Sequence, residues 1–192
     1  MRLRWLLLWA CLAGTAFGQR HEVGLTLGGL VPQDRLEGGL ALQANYGLRL
    51  WRTDRAQVSF ETHWLANTQR KVGFADPAAT SDVATMYVTP GLRFTFAPGA
   101  RVRPWVAAGA GWAWYEHSEL TQGGQPNGAP RNLYRGAFQF GGGVDWTVWK
   151  QVALRAEVRD FVTGSPAFNR PGLGGAQHNV VAGGGVVLRF GE

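Results

Sequence analysis

Glu116, His117, Ser118 and Glu119 stand side by side and carry every group that a hydrolytic triad needs. A serine hydroxyl becomes a nucleophile when a histidine takes its proton and a carboxylate orients that histidine. The spacing works against that use. Neighbouring side chains on an extended chain point to opposite faces, so His117 and Ser118 diverge. His21, His63 and His178 lie far apart in the sequence and lack metal-ligand spacing. The glycine-rich stretches "AAGAGW" and "FGGGVDW" are not followed by the helix that a phosphate loop requires. Cys11 is the only cysteine. No catalytic residue, no metal ligand and no cofactor is therefore expected.

The remaining chemistry is electrostatic. Glu61, Asp145 and Glu157 fall on the polar side of alternating runs, as do Arg49, Arg93, Arg103, Arg135, Arg155, Arg159 and Arg189. Charges that share a buried face need partners. The expectation is a polar network of Glu61, Arg93, Arg103, Gln139, Asp145, Arg155, Glu157 and Arg159. Asp145 is placed within diagonal reach of Arg155. Glu157 is expected to reach an arginine or Gln139 across a gap left by Gly141 and Gly143. The competing use of the same charges is a narrow, anion-preferring pore.

Eight runs of period two must position these charges. They are "HEVGLTLGGL", "GLALQANYGLRL", "AQVSFETHWL", "TMYVTPGLRFTF", "VRPWVAAGAGWAWY", "YRGAFQFGGGVDW", "VALRAEVRDF" and the closing "HNVVAGGGVVLRFGE". Each has one apolar face, as in Val102, Pro104, Val106, Ala108, Ala110, Trp112 and Trp114. The opposite face mixes glycine with polar groups. Such a face makes a poor solvent surface but a good filling for a narrow lumen. The apolar face then meets lipid, with Trp64, Phe94, Phe96, Trp112, Trp114, Trp146 and Phe190 as its aromatics. Short connections such as "APGAR" alternate with long ones such as "HSELTQGGQPNGAPRN", as in an up-and-down barrel of the outer membrane. The fold class expected is all-β: an eight-stranded antiparallel up-and-down transmembrane β-barrel. On this reading Val106→Arg is costly and Gly109→Ser costs far less. Phe161 sits at a strand end beside a flexible loop. The long loops are polar, flexible and exposed.

Composition agrees. The 192 residues are 17% charged and 12% aromatic, with nine Trp and 28 Gly. The net charge of +6 is spread singly along the strands rather than clustered, so a nucleic-acid partner is not expected. The opening "MRLRWLLLWACLAGTAFG" has two arginines, an apolar run too short to span a bilayer, and small residues at Ala16 and Gly18. It reads as a signal peptide over 1–18, followed by a barrel domain over 19–192.

"RPWVAAGAGWAWY", "GGGVDWTVWKQVALRAEVRDF" and the last strand ending at Phe190 resemble the small outer-membrane β-barrel proteins of the OmpA, OmpX and opacity-protein type. The resemblance spans the mature chain. It implies eight strands and a terminal aromatic that the outer-membrane assembly machinery reads. Gly191 and Glu192 follow that aromatic here. Some barrels of this size act on lipid A, but the pattern expected of a deacylase, His and Ser one residue apart, is absent. The function expected is structural or surface interaction through the extracellular loops, by a monomer exported through the periplasm into the outer membrane. The small pore is the alternative, and a lipid A-modifying enzyme is a more distant one.

Overall fold

The computed structural model describes residues 21–31, 36–170 and 174–191. The expected signal peptide lies outside the described residues. Most of the described residues fall in eight strands: β1 (His21–Leu30), β2 (Gly39–Arg52), β3 (Ala56–Lys71), β4 (Asp82–Phe96), β5 (Val102–His117), β6 (Asn132–Thr147), β7 (Val152–Gly164) and β8 (Ala176–Phe190). Each pairs antiparallel with its sequence neighbours, and β1 pairs with β8, so the sheet closes on itself and leaves no edge.

The register fixes the geometry. From His21 the paired residues run through Leu48, Phe60, Leu92, Ala108, Phe140, Asp160 and Val180. The carbonyl of Val180 then accepts a hydrogen bond from Val31, so one circuit climbs from position 21 to position 31. A stagger of that size in eight strands tilts them by roughly 40° and leaves a lumen just wide enough for side chains.

The two faces separate by parity. Leu25, Leu40, Leu92, Val106, Phe140 and Val158 are exposed on the outside, while Gln43, Glu61, Arg93, Gln139, Arg155 and Arg159 are buried inside. The aromatics Trp64, Phe94, Phe96, Trp112, Trp114, Trp146 and Phe190 all share the outward parity. Two bulges shift that parity, one at Leu50 in β2 and one between Asn67 and Arg70 in β3. The second turns Arg70 inward, where it is buried.

Glycine makes the interior fit, and less permissively than the sequence suggests. A Cβ on Gly143 would lie 2.6 Å from the Trp105 ring, so the indole fits only against a bare backbone. Gly109 does face the lumen. A Cβ there would lie 2.7 Å from the Pro90 carbonyl oxygen, so Gly109→Ser must displace backbone and is costlier than facing the lumen alone suggests. A second correction concerns Phe161. It is fully buried, 5.0 Å from Tyr87 and 5.7 Å from His63 between ring centroids, and is a core residue of the lumen rather than a loop-side one.

Candidate functional site

The half of the lumen nearest the short turns is filled by charge. Glu22 meets Arg93 at 2.6 Å, Arg155 at 2.8 Å and Arg189 at 3.0 Å. Glu61 meets Arg93 at 3.0 Å and Arg159 at 2.8 Å. Asp145 accepts from Arg155 at 2.7 Å and 3.0 Å, from Arg189 at 2.6 Å and from the Trp105 indole at 3.2 Å. Arg159 donates to Glu157 at 3.0 Å and to Gln139 at 3.1 Å. Asn45 accepts from Arg155 at 2.9 Å. Three guanidinium groups, of Arg93, Arg155 and Arg159, lie 4.8–5.8 Å from the Trp105 ring centroid. Four carboxylates thus face four arginines, and the charges balance inside the network.

Seven of the eight expected network residues meet here. Asp145 and Arg155 are directly opposed in the register rather than diagonal. Arg103 is the departure. It is 7% exposed and faces the short-turn mouth, and its Nε and one terminal nitrogen have no hydrogen-bond partner. Asp145, its register partner, already serves Arg155, Arg189 and Trp105. The reading of the sequence missed Glu22, Asn45 and Trp105. Their signal was parity: Glu22 alternates with Val23, and Trp105 falls on the side of Arg103, not on that of Val106.

The other half of the lumen holds an apolar cluster, with Asn67, Arg70, Thr85, Gln177 and Asn179 also buried there. Leu30, Leu65, Val83, Ala113, Ala137, Phe161 and Val181 pack with Tyr87 and Tyr115. The Tyr115 hydroxyl bonds Thr163 at 2.5 Å, and Arg70 reaches the Glu37 carbonyl and Asn179. Phe168, from the connection after β7, closes the layer from above and is fully buried. Ala167, Phe168 and Asn169 hold φ of 62°, 50° and 62°, a left-handed turn of three non-glycine residues.

The long connections are bonded to one another. Thr80 N–H donates to the Phe168 carbonyl, Asn169 donates to the Ala78 carbonyl, and Arg170 pairs with Asp76 at 2.6 Å. Gln122 bonds the carbonyls of Val72 and Phe74, and Asn127 bonds Thr80. Three connections are knitted into one cap.

The triad candidates are kept apart. His117 is buried with Nδ1 2.8 Å from the Pro130 carbonyl, and the Ser118 hydroxyl donates to the Leu120 carbonyl. Glu116 and Glu119 both pair with Arg131. Among the described residues there is no cluster of His, Cys, Asp or Glu fit for a metal.

No family model matches the sequence, and no curated protein is similar to it. Solved structures are. The Ail attachment invasion locus protein of Yersinia pestis aligns over 90% of this chain and 97% of its own, at 14% identity and a TM-score of 0.54. Neisserial surface protein A aligns over 90% and 97%, at 13% identity and 0.53. The N-terminal barrel domain of Pseudomonas aeruginosa OprF aligns over 89% and 97%, at 15% identity and 0.53. The fold is that of the small outer-membrane barrels.

Proposed function

We propose that the chain is an integral outer-membrane barrel with a sealed lumen, whose role is structural or surface interaction through its cap. One observation carries this reading: the outside is apolar while the inside is a charge-balanced network under an apolar plug. A soluble barrel would carry the reverse. The bilayer is the first partner. The short turns and both strand termini then face the periplasm, and the knitted connections face outward. Two structural neighbours are by name an attachment invasion protein and a surface protein, which supports an interaction role. Phe190, exposed at the end of β8, is the aromatic offered to the assembly machinery, and the barrel acts as a monomer without chemistry of its own.

The experiment is a denaturing gel of unheated and boiled protein, followed by planar-bilayer recording. A closed barrel migrates faster unheated, and a plugged one gives no steady conductance. Identical migration overturns the barrel, and steady anion-selective current replaces the plugged lumen by a pore. An unchanged lipid A mass in expressing cells tells against an enzyme. Phe190→Ala lowers outer-membrane levels more than Phe138→Ala, another exposed aromatic of the outer face.

A further inference from the structure

The short-turn mouth opens into a cavity of about 350 Å³. Arg52, Arg101, Arg103, Lys150 and Arg189 line it, from four separate parts of the barrel, and no carboxylate among the described residues joins them. Arg101 is braced over the Trp146 ring at 5.5 Å, and Arg52 reaches the Pro98 carbonyl at 3.4 Å. Arg189 already spends two nitrogens on Glu22 and Asp145. Arg103 is different. Its guanidinium is buried between this cavity and the inner network, yet among the described residues it joins no ion pair. Two of its nitrogens lack a partner. The four carboxylates above it are matched by four other arginines, so among the described residues the network holds no counter-charge for the fifth.

We propose that the mouth is an anion site for a phosphate group, with Arg103 at its floor and Arg101 and Lys150 at its rim. A buried cation left unpaired is costly, and an anion that binds it removes that cost. Guanidinium forks match phosphate oxygens in pairs, and Lys150 adds a point charge. The cavity is roomy enough for a phosphate that carries an ester. Two sources share this chemistry: the headgroup of a phospholipid at the membrane surface, and a soluble phosphate. The lipid source rests on the outer-membrane reading, whereas the soluble source does not.

The test uses the folded full-length mature barrel in neutral detergent. Calorimetric titrations are run with inorganic phosphate and with short-chain phosphatidylglycerol. Phosphate binds the wild type, and Arg103→Gln weakens it about tenfold or more, as expected for loss of a charged hydrogen-bond donor. Lys150→Gln, at the exposed rim, weakens it less and keeps the test open should the Arg103 variant fail to fold. Each variant is checked for heat-modifiable migration, so a failed barrel is distinguished from a failed site. Tighter binding of phosphatidylglycerol than of phosphate assigns the lipid source, and equal binding assigns the soluble one. No binding of either probe, or equal binding by the wild type and both variants, overturns the proposal.

Discussion

The two halves of the lumen solve one packing problem with opposite chemistry. Near the short turns, arginine, glutamate and aspartate fill the width of the barrel around Trp105. Near the long connections, Tyr87, Tyr115, Phe161 and Phe168 fill it. Apart from Arg103, the charged half is held by mutual pairing, so each paired member is as valuable as the partners it leaves behind. The apolar half depends on volume. A charged plug therefore fails by leaving a charge unpaired, and an apolar plug fails by leaving a cavity.

The largest break is expected in the charged half. Arg159 holds Glu61, Glu157 and Gln139 and stacks near Trp105. Arg159→Ala leaves two carboxylates buried and short of a partner, which typically costs about 3–5 kcal/mol. Urea refolding of the barrel in lipid vesicles measures it. A cost below about 1 kcal/mol, the range of exposed pairs, means that the lumen is hydrated and the charges are screened. The same variant is expected to open no steady channel, because the apolar half stays closed.

The apolar half is expected to lose somewhat less. Phe161→Ala removes a fully buried ring between Tyr87 and His63 and costs about 3 kcal/mol in the same titration. A neutral result means that the upper lumen is filled by something other than packed side chains.

Phe168 tests whether the cap belongs to the plug. Its ring is buried, but its turn holds three residues in the left-handed region, at about 1–2 kcal/mol each. Phe168→Ala gives up the burial and lets the turn relax, so the net cost falls to about 1–2 kcal/mol. Hydrogen exchange reads the outcome by place. Amides of the cap, such as Thr80, lose protection while the strand amides keep theirs. Loss of protection through β3 and β7 as well would make the cap part of the barrel's cooperative unit.

Much of this was legible in the sequence, and parity is the reason. A period of two names the face of each strand residue outside the bulges, so the closed barrel, the outward aromatics and most of the lumen charges follow from reading alone. Parity also held Trp105, Glu22 and Phe161 in plain view on the inner face. Other features obey no local rule. The bulge before Arg70 reverses parity within β3, and nothing between Asn67 and Arg70 announces it. The room beside Gly109 depends on the Pro90 carbonyl of another strand. The bonds from Gln122 to Phe74 and from Asn169 to Ala78 join connections far apart in sequence, and only the closed barrel brings them together.

The smallest effect is expected where the same chemistry stands in water. Glu119 and Glu116 both pair with Arg131, as Glu61 pairs with Arg93 and Arg159. The hydrogen bonds that Arg131 donates to Glu116, and then to Glu119, hold its guanidinium above its usual pKa. Residue types and contacts are alike, and only exposure separates the pairs. Glu119 and Arg131 side chains are 74% and 57% exposed, against 2% for both Glu61 and Arg93. Water solvates either loop charge when the other is removed, so no unpaired charge is stranded. Glu119→Ala is therefore expected to leave the urea midpoint unchanged within error, and Glu157→Ala in the lumen to lower it clearly. Arg131 also keeps Glu116. A Glu119→Ala loss that matched the Glu157→Ala loss would place the loop pair inside the cooperative structure of the cap, and burial would no longer explain the contrast.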